Sequence, residues 1–268
     1  MNSDADAIAA AERGLLEIRG LIKRFGGITA VNGLDMTVRT GDIHALIGPN
    51  GSGKTTTLNV ISGLYRADGG SATFDNHELV RRPAHAIAAL GVARTFQNIR
   101  LFGDLSVCEN VMIGRHVRTR TGFLGALNPA GATAREERET RERALELLRF
   151  TGVTGSPDAR ARSLPYGDQR RVEIARALAS EPRLLLLDEP AAGMNPAETD
   201  ALVELLRRIR DGGTTLLLIE HDMNLVMTVS DRITVLNFGQ HIAEGAPAEI
   251  ARNPDVITAY LGGGVDAA

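Results

Sequence analysis

The chain is poor in the residues that stabilise secreted and membrane-spanning proteins. Its 268 residues include a single cysteine, Cys108, so no disulfide can form within the chain. Tryptophan is absent, and the longest aliphatic runs, LLLL at 184–187 and LLLI at 216–219, are no longer than a strand. A helix that crosses a bilayer needs about 20 mostly apolar residues. The sequence therefore predicts a protein of a reducing compartment that does not itself span a membrane.

The chain also lacks a strong excess of either charge. Its 30 lysines and arginines nearly balance its 33 acidic residues, which gives a net charge of −3, so no nucleic-acid partner is expected. The 43% of hydrophobic residues suffice for one large or two small cores. Residues 1–12 lack the basic start and apolar centre of a secretory signal. We predict that they form a disordered leader.

Strand and helix patterns alternate along most of the chain. Residues 13–91 open with three β-rich runs separated by glycine turns and continue into an amphipathic helix. Residues 166–245 alternate buried strands with helices and end in DRITVLNFGQHIAEG, which we predict to be two edge strands joined near Gly239. Such alternation predicts an α/β fold whose mostly parallel sheet carries helices on both faces.

The stretch 92–165 shows no β pattern and is predicted to be a helical insertion. Ser106 has the position of an N-cap for its first helix. A link rich in Gly and Ala at 122–133 leads into a segment where Arg and Glu interleave, which is typical of a solvated helix face. Short helices are predicted at 246–262, so that residues 13–262 form a single domain.

The strongest motif is GPNGSGKTT, which follows a predicted strand and opens a predicted helix. Backbone N–H groups of such a loop wrap a β-phosphate, and the start of the helix adds partial positive charge. Lys54 is expected to neutralise phosphate oxygens, and the Thr55 hydroxyl is expected to bind Mg²⁺. The residues of this loop predicted to hold the phosphates of a nucleotide, which the family resemblance given below implies to be ATP, are Gly48, Pro49, Asn50, Gly51, Ser52, Gly53, Lys54, Thr55 and Thr56.

Two further segments place ionisable groups after buried strands. Asp188 follows the LLLL run, where it could hold Mg²⁺ through water. Glu189 comes next and could act as the general base that polarises an attacking water. His221 follows TTLLLIE, at the end of a sheet where ligands of α/β proteins gather, and could bond the γ-phosphate. These three residues are the predicted centre of a nucleotide-hydrolysing site.

This ordered set of motifs resembles the nucleotide-binding subunit of an ABC transporter over residues 12 to 262. The resemblance implies the ABC ATPase fold: a P-loop NTPase core with a mostly parallel sheet, an antiparallel β subdomain and an inserted α-helical subdomain. It implies that Phe25, in KRFGG, stacks on adenine. It also implies that Gln97, in ARTFQN, senses Mg²⁺, the attacking water and the membrane subunit. Asn195, in AAGMNP, stands at a dimer-interface position where the family usually has aspartate.

The resemblance also accounts for the stretch SLPYGDQRRVEIARAL. In the family, a signature of the form L-S-G-G-Q reaches across a dimer to the ATP of the other subunit. Because the chain has one such cassette, it is expected to pair with itself or with a relative. Pro165 has neither a hydroxyl nor an N–H, so we expect this signature to support ATP closure only weakly. The implied signature residues are Leu164, Pro165, Tyr166, Gly167 and Asp168.

Within the family, five segments are similar to the larger ATPase subunit of branched-chain or hydrophobic amino-acid uptake systems. They are LPYGDQRRVEIAR, the long insertion around RTRTGFLGALNPAG, EPAAGMNP, LLIEHDMNLVM and NPDVITAYLG. That resemblance implies a second ABC ATPase, two membrane permeases contacted near Gln97–Asp104, and a periplasmic binding protein that delivers the amino acid. It also implies a peripheral location on the cytoplasmic face of the inner membrane.

Three alternatives remain open at this point. An ATPase of another ABC transporter, such as a lipid exporter, would be expected to carry an intact L-S-G-G signature. A soluble ABC ATPase that acts on DNA or ribosomes would usually carry two cassettes or a long coiled-coil insertion. A cassette that binds ATP without turnover is disfavoured by Glu189 and His221, but Pro165 and Asn195 keep it open.

Overall fold

The computed structural model of the protein describes residues 14–118 and 132–261. The predicted leader at 1–12 and most of the predicted link at 122–133 lie outside these residues. The described strands are β1 (Gly14–Phe25), β2 (Ile28–Arg39), β3 (Ile43–Ile47), β4 (Gly69–Phe74), β5 (His77–Glu78), β6 (Val92–Arg94), β7 (Leu184–Asp188), β8 (Thr215–Ile219), β9 (Arg232–Asn237) and β10 (Gln240–Gly245).

Nine α-helices lie within the same ranges. They are α1 (Lys54–Ile61), α2 (Ala84–Ala89), α3 (Val107–Gly114), α4 (Ala132–Thr151), α5 (Tyr166–Leu178), α6 (Pro196–Asp211), α7 (Met223–Val229), α8 (Pro247–Ile250) and α9 (Pro254–Leu261). No helix of residues 14–118 and 132–261 combines the length and the apolar character needed to cross a bilayer.

The larger sheet has the strand order β10-β9-β3-β8-β7-β6, and all neighbours are parallel except β9 and β10. Alternate residues of β7 point to opposite faces, as they must in a strand. Leu185 and Leu187 pack with α5 and α6, whereas Leu184 and Leu186 pack with α1 and the smaller sheet. The second face is therefore covered by α1, by Ile87 of α2 and by the smaller sheet, which is the antiparallel β subdomain that the family resemblance implies.

The smaller sheet is antiparallel, in the order β2-β1-β4-β5. It shares a continuous core with the larger sheet, because Leu16, Ile18 and Val31 lie in the same cluster as Leu58 and Leu217. Phe25, at the end of β1, is thereby held at a fixed position relative to the loop that precedes α1.

Two sequence-based expectations are wrong in detail. Val92–Arg94 forms β6, which pairs in parallel with Leu184–Leu186, although the whole stretch from 92 was predicted to be helical. Three residues are too few to show an alternating pattern. Only β10 of the last two strands is an edge, because β9 lies between β3 and β10.

The N-cap prediction for Ser106 is confirmed: its hydroxyl accepts from Glu109 N–H in a capping box.

Candidate nucleotide site

The loop between β3 and α1 requires glycine for steric reasons. Gly48 has φ +150°, and a Cβ there would lie 2.0 Å from the carbonyl oxygen of Leu236. Gly53 has φ +101°, and a Cβ there would lie 2.3 Å from the carbonyl oxygen of Ala30. Side chains are excluded at both positions. The backbone of neighbouring segments therefore fixes the path of the loop.

The start of α1 is built to receive an anion. The helix begins at Lys54, and its first-turn N–H groups have no partners within the helix. Lys54 Nζ donates to the carbonyl oxygens of Gly48 (2.8 Å) and Pro49 (3.0 Å), so the ammonium lies inside the loop. Burial lowers the pKa of Lys54, and the carboxylates of Glu189 and Asp188 oppose that shift. The buried Ser52 Oγ has no partner among the described residues.

Asp188 is the last residue of β7 and forms a nearly buried ion pair with Arg94 of β6. Arg94 Nη2 lies 2.9 Å from Asp188 Oδ2, and the two side chains are only 6% and 3% exposed. The guanidinium also donates to Asn59 Oδ1 and Ser62 Oγ at the end of α1. Burial raises the pKa of Asp188, and Arg94 opposes that shift. Asp188 Oδ1 is buried with no partner in the described chain, so one oxygen remains available to a cation or its water.

Glu189 receives a contact on each carboxylate oxygen. Gln97 Nε2 donates to its Oε2 at 2.6 Å, and His221 Nε2 lies 2.7 Å from its Oε1. The backbone of Glu189 has φ +49°, a left-handed conformation that is uncommon for a residue with a side chain. Its N–H donates to the carbonyl oxygen of Ile219 at 2.9 Å. The three predicted catalytic residues therefore meet at the carboxyl ends of adjacent strands.

Glu220 holds the backbone on both sides of the Glu189–His221 contact. It is 4% exposed. Its Oε1 accepts from Ala191 N–H at 2.6 Å, and its Oε2 accepts from His221 N–H at 3.1 Å. Burial raises the pKa of Glu220, and the backbone amides oppose that shift. One buried carboxylate thus links the loop after β7 to the loop after β8.

Phe25 presents an aromatic ring at the end of β1. Its side chain is 42% exposed, and its ring packs edge-to-face with Tyr65 at a centroid distance of 5.2 Å. Lys23 Nζ lies 5.1 Å from the same ring. An exposed ring held by an aromatic neighbour is suited to stacking on a base.

The signature segment lies at the start of α5, with Pro165 as its N-cap residue. Leu164 is buried in the core of the helical region. The carboxylate of Asp168 is turned inward, where its Oδ2 accepts from the Thr154 hydroxyl at 2.6 Å. The side chain of Asp168 is therefore not available to a ligand, and Asp168 could face one only with its backbone. The side chain of Tyr166, in contrast, is 44% exposed.

Asn195 acts as the N-cap of α6. Its Oδ1 accepts from Glu198 N–H at 3.0 Å, and Glu198 Oε2 accepts from Asn195 N–H at 2.9 Å. This capping box explains why asparagine suits the position within one chain. A role of Asn195 between two chains stays a prediction.

Sequence reasoning missed four charged residues that organise the site. Arg94 and Glu220 each stand beside an apolar strand, and Arg170 and Glu173 stand three residues apart on α5. All four are at least half-buried, and burial of a charge requires a partner. The sequence signal that could have identified them is a charged residue at a position where the strand or helix pattern predicts a buried side chain.

A family model described as "ABC transporter" matches residues 31–192. The chain belongs to the ABC transporter family. A second model, described as "Branched-chain amino acid ATP-binding cassette transporter", matches residues 240–266. The family predicted from the sequence is thus confirmed, and the protein is an ABC ATPase.

Two curated relatives span almost the whole cassette. The high-affinity branched-chain amino acid transport ATP-binding protein BraF of Pseudomonas aeruginosa is 47% identical over 251 residues, which cover 93% of this chain and 98% of BraF. The protein of the same description named LivG, from Escherichia coli K12, is 46% identical over 249 residues, which cover 92% and 98% of the two chains.

Solved structures confirm the predicted fold class. The ADP conformation of an ATP-binding cassette from an ABC transporter matches with a TM-score of 0.81 and 31% identity over 93% of this chain and 99% of that one. A dimeric cassette in a post-hydrolysis state, bound to ADP and phosphate, matches with a TM-score of 0.74 and 25% identity over 87% and 98% of the two chains.

Proposed function

We propose that this ABC ATPase powers the import of branched-chain or other hydrophobic amino acids through a membrane transporter. The observation that carries the cargo assignment is the similarity to BraF and LivG over nearly the full length of each chain. The match of the C-terminal residues 240–266 to the branched-chain cassette model supports it independently. No side chain of the cassette is assigned to contact the amino acid.

ATP binding is assigned to the loop Gly48–Thr56, with Phe25 stacking on adenine. Lys54 is proposed to leave the carbonyl oxygens of Gly48 and Pro49 and to bond phosphate oxygens when the nucleotide enters the loop. The exchange is favourable because a phosphate carries full negative charge, whereas the carbonyl groups offer only dipoles. The amides at the start of α1 would complete the phosphate cradle.

Magnesium fits the residues that face this loop. The partnerless Asp188 Oδ1 and the exposed Thr55 hydroxyl supply oxygen donors of the type that Mg²⁺ prefers, with Gln97 as a further ligand. No group of three or more His, Cys, Asp or Glu that could hold a metal occurs within residues 14–118 and 132–261. Phosphate oxygens and water are therefore proposed to complete the coordination. The bound ion would neutralise charge on the β- and γ-phosphates.

Hydrolysis is assigned to Glu189, His221 and Gln97. Glu189 would accept a proton from the attacking water, and His221 would hold the γ-phosphate and that water in place. In the structure described above, both oxygens of Glu189 already receive contacts from Gln97 and His221. Opening of one contact would make that carboxylate oxygen more accessible to the attacking water. We propose that nucleotide entry and pairing of two cassettes open this contact.

The site is proposed to be completed by a companion cassette. The signature Leu164–Asp168 would reach the ATP of the companion, and Asn195 would lie at the interface. The dimeric neighbour bound to ADP and phosphate is a precedent for such pairing. The companion is either a second copy or a related ABC ATPase.

Coupling to transport is assigned to the segment Gln97–Asp104. We propose that these residues receive a helix from one of two permeases, with a periplasmic binding protein delivering the amino acid on the other side. Phe96, which precedes the segment, also lines an open groove of about 200 Å³ together with Leu64, Ile87 and Val92. The cassette would then lie peripherally on the cytoplasmic face of the inner membrane, without a nucleic-acid partner.

The division of the chain is proposed accordingly. A single cassette spans 13–262, after a leader at 1–12. Its core comprises 13–91 and 166–245, to which β6 adds residues up to Arg94. The helical insertion follows to about residue 165, and 246–262 forms the C-terminal helices.

Reconstitution tests the proposal. The cassette is co-purified with its permeases and companion ATPase, placed in liposomes, and given a binding protein loaded with leucine, isoleucine or valine. ATP-dependent accumulation of the amino acid, absent when this chain and its companion lack their catalytic carboxylates, is the expected result. Turnover without accumulation of any hydrophobic amino acid would refute the cargo assignment, and ATP binding without turnover would refute the hydrolytic one.

A further inference from the structure

Arg170 of α5 lies at the centre of a buried hydrogen-bond cluster. Its side chain is fully buried. One guanidinium nitrogen donates to the carbonyl oxygen of Phe96 at 2.6 Å and to Glu173 Oε2 at 2.8 Å. The other donates to the carbonyl oxygen of Gln97 at 2.7 Å and to the Tyr166 hydroxyl at 3.3 Å. Through Arg170, the helix that starts at the signature thus binds the backbone of Gln97, whose side chain contacts Glu189.

Glu173 holds the amide side of the same segment. Its Oε1 accepts from Phe96 N–H at 3.5 Å and from Arg100 N–H at 3.4 Å. The carboxylate is 1% exposed, and burial raises its pKa while Arg170 opposes the shift. Because each charge of the Arg170–Glu173 pair compensates the other, the cluster tolerates burial. Removing Glu173 would leave the buried Arg170 without its carboxylate partner, whereas Glu173 also lies 3.7 Å from Arg176 Nη2.

Tyr166 connects this cluster to the loop after Glu189. Its hydroxyl lies on Arg170, and its ring packs on Gly193, where a Cβ would lie 3.3 Å from the ring. Gly193 has φ +78°, so the loop presents bare backbone to the ring. One tyrosine therefore contacts the loop that follows Glu189 and the arginine that fixes Gln97.

We propose that Tyr166, through Arg170, is a positioning residue for Gln97 within its own subunit. The inference rests on the proposed role of Gln97 in hydrolysis. The path runs from the Tyr166 hydroxyl to Arg170, from Arg170 to the Gln97 carbonyl, and from Gln97 Nε2 to Glu189 Oε2. A signature residue would in this way act on the ATP of its own chain, in addition to any contact with the ATP of the companion.

This role gives a physical reason for tyrosine where glycine is usual. A glycine at 166 would remove both the hydroxyl and the ring that packs on Gly193. The expectation from the sequence, a signature weakened by Pro165 and Tyr166, predicts that Pro165→Ser with Tyr166→Gly raises ATPase activity. The positioning role predicts that the same pair of substitutions lowers it. The ATPase activity of this double variant therefore distinguishes a weakened signature from the positioning role.

Hydrogen exchange of the nucleotide-free cassette tests the positioning role without turnover. Arg170→Lys and Tyr166→Phe should speed exchange of the peptide 94–100 by about fivefold or more. The first removes bonds to the carbonyl oxygens of Phe96 and Gln97, and the second removes the hydroxyl that Arg170 contacts. Arg171→Lys is the matched control: it makes the same change one residue later, where the guanidinium bonds the carbonyl oxygen of Gly152. Equal exchange in all three variants would overturn the proposal.

Kinetics of the assembled transporter provide the second test. Tyr166→Phe is placed on a chain with intact Glu189 while the companion lacks its catalytic carboxylate, and then on a Glu189→Gln chain with an intact companion. We expect kcat to fall in the first arrangement, by about fivefold, with KM for ATP unchanged. A fall in the second arrangement alone would overturn the proposal. Absence of turnover in the wild-type complex would instead refute the proposed function.

Discussion

His221 Nε2 and Gln97 Nε2 lie on opposite oxygens of one carboxylate, 2.7 Å and 2.6 Å from Glu189 Oε1 and Oε2. The histidine follows β8 and the glutamine follows β6, so three strands of the larger sheet contribute to one contact group. The arrangement ties the predicted general base to the segment proposed to touch the permease. Opening of the Gln97 contact would release Glu189 toward water.

Glu189→Gln should abolish turnover yet retain ATP in a paired state. The amide keeps the shape and the contact with His221, but it cannot accept a proton from water. Loss of a general base typically lowers the rate by at least about 100-fold. ATPase assays and size-exclusion chromatography with ATP measure the two effects, and the exposed Glu204→Gln on α6 is the control. Substantial remaining hydrolysis would refute the assignment of Glu189.

Lys54→Ala should weaken ATP binding by about 10- to 100-fold, because it removes charge-assisted bonds to phosphate oxygens. Titration with a fluorescent ATP analogue measures the affinity, and thermal unfolding without nucleotide checks the fold. The substitution also frees the carbonyl oxygens of Gly48 and Pro49. Unchanged affinity in a folded variant would show that the phosphates bind elsewhere.

Phe102→Glu should uncouple transport from ATP hydrolysis. Leu101 is not changed with it, because Leu101 packs against the buried core of the helical region and its replacement would also destabilise the fold. The Phe102 side chain is 53% exposed and is available to a permease helix. Basal ATPase of the isolated cassette should stay at the wild-type rate, while amino-acid uptake in proteoliposomes falls. Wild-type uptake would count against the proposed docking segment.

Glu220→Gln should lower kcat by about tenfold while ATP affinity stays the same. The amide can accept from only one of the two loops that Glu220 now joins, so the Glu189–His221 geometry loosens. Stopped-flow binding and steady-state turnover separate the two parameters. A parallel loss of ATP binding would indicate a general loss of structure instead.

The sequence predicted the parts of the site that obey local rules. The loop 48–56 needs glycine at its positive φ angles, and its sequence places Lys54 where phosphate is proposed to bind. Both features appear within these nine residues. Asp188, Glu189 and His221 were predicted because they follow uniformly apolar strands. Their meeting at one sheet edge then follows from parallel topology.

Long-range partners could not be predicted in the same way. The contact of Arg94 with Asp188 joins residues 94 positions apart, and Arg170 reaches segments 73 and 74 positions away. No local period encodes such pairs, because they depend on how helices and strands pack. The three-residue strand β6 was missed for a similar reason: its only support is the neighbouring β7.

His44 should make the stability of the cassette depend on pH. The side chain lies fully buried in β3, with Nε2 2.8 Å from Thr234 Oγ1, and burial lowers its pKa from 6.5 to about 4. Below pH 6.5 His44 becomes protonated in the unfolded chain, whereas in the folded chain it stays neutral until about pH 4. The neutral histidine therefore contributes its full stability above pH 6.5 and loses it as the pH falls, by at most about 3 kcal/mol. Denaturant unfolding of the wild type and His44→Gln between pH 7 and 4 measures the difference, with the exposed His241→Gln as control. A wild-type free energy of unfolding that runs parallel to that of His44→Gln across this range would show that His44 titrates normally.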